Sequence, residues 1–180
     1  MTFRKWNVRE EVPDDHVNAF DIVNLRFFSV VLLNEEIRHV IGRLLRLLKP
    51  GGYVQWEEPD FRTVRVNKTQ PDSKTNYLEE LMKLFTVQDA RLNPGWVIKL
   101  PQTFAAAGFV DTETDIRNAK PWLEFMFHEC GLMMHELSAR KTNNEKMARD
   151  VSRLLPLAVE ETRNGAFVTA TRWTIIGKKP

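Results

Sequence analysis

Apolar and polar positions alternate along this chain in two different periods. Residues 3–8 set Phe3, Trp6 and Val8 among polar neighbours and predict a short strand, closed by the polar run 9–15. Residues 20–25, Phe-Asp-Ile-Val-Asn-Leu, are rich in β-branched and aromatic side chains and predict a second strand, apolar on both faces. From Asn34 the period lengthens. Ile37, Val40, Ile41, Leu44, Leu45 and Leu48 recur every three or four residues, the spacing of one helix face. Asn34 suits the N-cap, Glu35 and Glu36 place negative charge in the first turn, and Lys49-Pro50-Gly51-Gly52 stops the helix with a glycine at positive φ. Residues 53–57 then read as a strand. Strand, helix and strand thus follow one another within the length of a βαβ unit, which implies parallel strands and a right-handed crossover.

Further along, residues 61–74 are polar, contain Pro71 and read as a loop. Helical spacing returns over 77–92, and again over 96–107 with an interruption or restart at Pro101. Gly108 closes that helix, and 109–116 alternate like a strand with one solvated face. Two more helices are expected over 123–137 and 145–162. The turn signal Asn164-Gly165 then introduces a strand over 166–176.

Composition narrows the classes. A chain of 180 residues with 43% hydrophobic content can bury one sizeable core, so a single domain is expected. Lys and Arg number 26 against 24 Asp and Glu, a net charge of +2 spread along the chain, which argues against nucleic acid as the main partner. The charged start over 1–11 is unlike a signal peptide, and no stretch approaches a membrane span; a soluble, cytoplasmic protein is the expectation. The single cysteine, Cys130, sits in an apolar stretch where a buried thiol in a reducing compartment is expected.

Three segments carry a recognisable pattern: Phe20-Asp21-Ile22-Val23-Asn24-Leu25-Arg26, the helix end Leu44-Leu45-Arg46-Leu47-Leu48-Lys49-Pro50-Gly51-Gly52, and Tyr53-Val54-Gln55-Trp56-Glu57-Glu58. In this order they resemble class I S-adenosylmethionine-dependent methyltransferases, closest to the small-molecule methyltransferases of fungal secondary metabolism. The resemblance covers residues 3–58. It implies an α/β fold: an incomplete Rossmann-like methyltransferase sheet of parallel strands plus a C-terminal antiparallel hairpin, with a helical cap. Residues 3–8, 20–25 and 53–57 look like its third, fourth and fifth strands, and 109–116 and 166–176 like its sixth and seventh. Residues 1–180 would form one such domain, with 122–162 as a helical insertion or cap. Relatives carry a glycine-rich turn after the first strand and an acidic residue ending the second, both of which would precede Met1. The chain is therefore expected to be N-terminally truncated, with an incomplete site for the cofactor, S-adenosylmethionine. The strand beside which the first would lie, 20–25, is expected to have an open edge. A second copy, a partner chain or residues 3–8 moving in beside it would cover that edge.

Ligands of parallel sheets bind outside the carboxyl ends of the strands. Asn24, Leu25 and Arg26, together with Asn7 and Val8, are the expected cofactor contacts. Asn7 stands where relatives often carry an acidic residue facing the adenine amine. Glu58 is a catalytic candidate because Glu57 and Glu58, read as a strand end, could hold a substrate group or act as general base. His128 is the other candidate. It lies seven residues from His135, on the same helical face, a spacing with too few ligands for a metal site. Trp122, Phe125, Met126, Phe127, Met133 and Met134 suggest either a substrate-lining cluster or the packed core of a cap. Three functions follow: methyl transfer to an oxygen or nitrogen of a small molecule; a non-catalytic, methyltransferase-derived protein binding a partner chain through the open edge and cap; and a nucleic-acid module, suggested only by the slight basic excess.

Overall fold

Helix α1 (Ile37–Leu47) forms on the predicted spacing. Ile37, Val40, Ile41, Leu44 and Leu47 line one face and are buried. In the computed structural model, which describes residues 3–85, 94–118 and 120–180, α1 joins β1 (Phe20–Arg26) to β2 (Leu48–Lys68). The two strands pair in parallel, Ile22 opposite Tyr53 and Arg26 opposite Glu57. The predicted strand, helix and strand unit is therefore present.

The helix starts at Ile37 rather than at an Asn34 cap. The Glu36 carboxylate turns back to accept the Leu33 N–H at 2.7 Å and pairs with the Arg9 guanidinium, which holds residues 34–36 in a turn. At its other end the helix leaves directly into an extended Leu48. Gly51, at φ +81°, does not end the helix; it turns the backbone inside an irregularity of the sheet, where the register shifts between Phe20↔Leu48 and Ile22↔Tyr53. Gly52 sits where a Cβ would lie 3.0 Å from the Asp21 and Lys49 carbonyl oxygens and 3.2 Å from that of Phe20.

Residues 3–8 form no strand. The Asn7 side chain accepts the Arg9 N–H at 3.1 Å and its carbonyl accepts the Glu10 N–H at 2.8 Å, so the chain reverses there. Trp6 and Val8 pack against the first core instead of pairing. Residues 3–8 therefore do not cover the open side of β1, an edge of a four-stranded sheet of order β1-β2-β4-β3, whose other strands are β3 (Val110–Asn118) and β4 (Ala166–Lys178). β4 runs antiparallel to β2: Gly51 and Gly52 bond to Lys179, while farther along Glu57 lies 3.9 Å from Arg172. The mixed α/β sheet agrees with expectation, and so do β3 and β4 as neighbours.

The predicted loop over 61–74 is a strand for much of its length, since β2 continues to Lys68. Its even-numbered Val64 and Val66 pack into a core, and Thr69 N–H bonds to Gly165. Arg62, Arg65 and Lys68 give this half the polar look of a loop.

The chain divides into two compact units, Met1–Asp60 with Pro94–Arg117 and Arg172–Pro180, and Phe61–Asn93 with Asn118–Thr171. The first packs α1, β1, the start of β2 and α3 (Leu100–Ala106) around Trp56, Trp96, Phe104 and Phe109. Pro101 falls in the first turn of α3, where a missing N–H costs nothing. The second packs α2 (Asn76–Phe85), α4 (Pro121–Lys141) and α5 (Glu145–Arg163) through Leu78, Leu81, Leu132 and the α5 stripe Met147, Val151, Leu154 and Ala158. The predicted helix over 77–92 is seen as α2, and its remainder lies outside the described residues. Buried Glu161 accepts the N–H groups of Tyr77 and Leu78 at 3.2 and 2.9 Å, satisfying orphan donors at the start of α2.

Among the described residues no helix is long and apolar enough to cross a membrane. The apolar residues of α4 are scattered round the helix among charged ones, so much of what reads as core in its sequence is bare: Trp122 is 61% exposed and Met133 61%, and Cys130 is exposed instead of buried.

Two glycines give opposite expectations. Gly42, mid-helix in α1 with open space at its Cβ position, should gain about 0.5–1 kcal/mol on Gly42→Ala. Gly52→Ala should lose about 1–3 kcal/mol, because its Cβ meets backbone oxygens that cannot rotate away. Urea unfolding of both variants checks this; a Gly52→Ala variant as stable as the parent would contradict the packing described.

Candidate functional site

The register of β1 on β2 sorts side chains onto two faces. Val23 and Leu25 join Val54 and Trp56 in the core, while Ile22, Asn24 and Arg26 share the other face with Tyr53, Gln55 and Glu57. On that second face, at the carboxyl end of β1, Arg26 Nε lies 3.5 Å from Glu57 Oε2, and Arg172 approaches the same oxygen at 3.9 Å. The Gln55 amide donates to Glu57 Oε1 at 2.7 Å. Asn24 and Arg26 are exposed; Leu25 is buried, its side chain packed in the first core.

Asn7 and Val8 are placed otherwise than expected. With no third strand beneath them, they occupy the turn that ends at Glu10. There the Asn7 amide is spent on Arg9 N–H and on Glu10 Oε1 at 3.3 Å, and Val8 packs against the core.

Glu58 does not sit at a strand end in solvent. It follows Trp56 onto the buried face, fully shielded, within a strand that continues for ten residues to Lys68. Its Oε1 accepts the Phe28 N–H at 2.6 Å and the Trp56 indole N–H at 2.5 Å, and its Oε2 accepts the Ser29 N–H at 3.0 Å. Burial raises its pKa above the ordinary carboxylate value, against the pull of Trp56, Phe28 and Ser29, which stabilise the anion. Arg172 and the Phe28 and Ser29 amides are not foreseeable from local sequence, since they meet Glu57 and Glu58 only in the fold, whereas Gln55 reaches Glu57 from two residues away on the same strand.

His128 and His135 both point into the second unit. His128 Nδ1 accepts the Val168 N–H at 3.2 Å, which fixes the proton on Nε2, where Thr162 Oγ1 lies at 2.8 Å. Thr162 in turn donates to the Ala158 carbonyl at 2.9 Å. Each ring nitrogen of His128 thus ties α4 to its surroundings. His135 Nδ1 bonds to Gly131 O at 2.6 Å. A groove of about 540 Å³ between α4 and α5 is lined by Phe125, Leu132, Met133, Leu155 and Val159, with Glu129 among its polar members.

No family model matches the chain. It is similar to the methyltransferase grgD of a Penicillium species, 31% identical over 55 residues, which is 31% of this chain and 19% of the relative. It is also similar to the N-methyltransferase verN of Clonostachys rogersoniana, 42% identical over 48 residues, 27% of this chain and 17% of that one. Each match thus spans less than a fifth of the relative's length. Among solved structures, the [4+2]-cyclase SpnF superposes with a TM-score of 0.50 at 16% identity, over 99% of this chain and 55% of that one. The resemblance to class I S-adenosylmethionine-dependent methyltransferases stands, in sequence to fungal members and in the mixed α/β fold.

Burial, with a smaller push from His135, lowers the His128 pKa from 6.5 to about 4. Unfolded His128 takes up a proton below about pH 6.5 and the folded residue only below about 4, so its contribution to stability is lost as pH falls through that window. Urea unfolding between pH 7 and pH 4.5 should show a steeper loss for the native protein than for His128→Gln. Parallel profiles would refute this assignment.

Proposed function

We propose that this protein is an S-adenosylmethionine-dependent methyltransferase acting on a small molecule in secondary metabolism, by transfer to oxygen or nitrogen. The observation that carries this reading is similarity to two fungal methyltransferases in a chain whose parallel β1–β2 pair leaves its carboxyl end open to solvent. The relative named as an N-methyltransferase supports nitrogen as one acceptor.

The cofactor fits this strand end in part. The Asn24 amide and the outward N–H groups of Arg26 are hydrogen-bonding partners for its polar groups, whereas Leu25 offers its backbone alone. Asn7 and Val8 lie in a turn, where the Asn7 side chain is engaged by the Arg9 N–H and Val8 packs against the core. When bound, S-adenosylmethionine supplies a sulfonium methyl open to in-line attack by the acceptor. The residues of this chain bind and orient: Glu57, gripped by Gln55 and flanked by Arg172, holds Arg26 in place beside Asn24. Titration calorimetry with S-adenosylmethionine should give a saturable heat that Arg26→Ala weakens by about tenfold, the scale of a lost charge-assisted bond. No heat at high protein concentration would overturn the proposal.

The open edge of β1 supports a second copy of the chain as the partner that covers it. Phe20 and Ile22 on this strand and Tyr53 beside them are exposed, and the centre Ile22-Val23-Asn24 carries neither charge nor proline to discourage pairing. Size-exclusion chromatography with light scattering should report twice the chain mass; a monomer at all concentrations would exclude it.

A further inference from the structure

We infer that Glu58 is a positioning residue: its carboxylate fixes the turn that leaves the carboxyl end of β1 and so shapes the surface offered to a ligand there. The inference deepens the proposed methyltransferase reading and rests on it for the identity of the ligand.

A general base must reach the proton it removes. Glu58 is wholly buried, and three N–H donors at hydrogen-bond distance occupy its two oxygens. What it does grip is the backbone. Two successive amides, Phe28 and Ser29, converge on one carboxylate, while the Trp56 indole, donating to it from the same strand, packs against the Phe28 ring at 6.0 Å. The Phe28 carbonyl is also engaged, accepting from Val31 and Leu32 at 2.9 Å each. Phe28 is therefore held from both ends.

The residue before it shows why such a grip is required. Phe27 has φ +59°, a left-handed conformation that for a bulky residue costs about 1–3 kcal/mol and persists only where its surroundings impose it. Its N–H bonds to the Glu57 carbonyl at 3.2 Å, which continues the β1–β2 ladder one step beyond Arg26. Beyond that bond the chain must swing away, and Glu58 receives it. The result is a half-exposed Phe27 ring next to Arg26, at the end of β1 where parallel sheets take their ligands. Backbone strain held by a buried carboxylate at this end of the sheet is a constraint that a surface loop with no task does not need.

Hydrogen exchange on the 180-residue chain, with Glu58→Gln beside it, tests this. In the native protein the Phe28 and Ser29 amides should be strongly protected; exchange at the rate of an unstructured peptide would refute the role without any variant. The Glu58→Gln substitution turns an NH2 group toward donors that expect an acceptor, so these two amides should exchange about tenfold faster or more, with Val23 and Leu25 in β1 unchanged. Binding of S-adenosylmethionine should weaken about tenfold, and Phe27→Gly, which relieves the strain, should restore part of the loss in the double variant. Faster exchange with undiminished binding would show that the turn does not serve the ligand, and would overturn the inference. Absence of binding in the native protein would instead sink the methyltransferase reading, and the exchange rates would still decide whether Glu58 holds the turn.

Discussion

Everything at the carboxyl end of β1 follows from one ladder, the parallel pairing of Ile22 to Arg26 with Tyr53 to Glu57. Because side chains alternate along both strands, that register assigns Trp56 and Glu58 to the α1 side and Arg26 and Glu57 to the solvent side. A slip by one residue would turn Val54 and Trp56 out into water and take Glu58 from the amides it binds, so the register is enforced by several large effects at once. Two adjacent glutamates thus come to lead different lives. Glu57 is a half-shielded partner of arginines, and Glu58 is an anchor for backbone.

The second unit is built differently. α5 has a clean apolar stripe and a true side-chain cap, Asn144 accepting the Met147 N–H at 3.1 Å. α4 has neither. Its buried residues are Leu132 and the two histidines, Phe127 is partly buried, and Trp122, Phe125, Met126, Met133 and Met134 are exposed. For such a helix, the neutral His128 bridging α5 and β4 is a substantial part of what fixes it in place, and that is a structural task instead of a catalytic one.

How much of this the sequence discloses depends on range. Periodicity locates α1, α5, β1, β3 and β4 well, because amphipathic spacing is a local property and the solvent imposes it directly. Asn34 fails as a cap because Glu36, bound by Arg9 from a distant segment, folds back onto the Leu33 N–H and holds residues 34–36 in a turn ahead of the helix. Residues 3–8 fail as a strand because Asn7 bonds to Arg9 and Glu10 and reverses the chain, although the edge of β1 is open to pairing. The far half of β2 is hidden by its arginines, whose aliphatic stems allow charged residues to share a half-buried sheet. At the site, Asn24 and Arg26 are legible from the strand-end rule, and Glu58 is legible as a residue but not in its role. The backbone donors that define that role arrive from about thirty positions away.

β2 carries alternating positions that serve two separate cores: Val54 and Trp56 in one, Val64 and Val66 in the other, all at even numbers. This single ribbon therefore acts as a reading frame for the molecule. Inserting or deleting one residue between Phe61 and Val64 would shift Val64 and Val66 by one position and turn their side chains away from the core they fill. Length variation among homologues should accordingly be forbidden in the middle of this strand while remaining free in the segments between the helices.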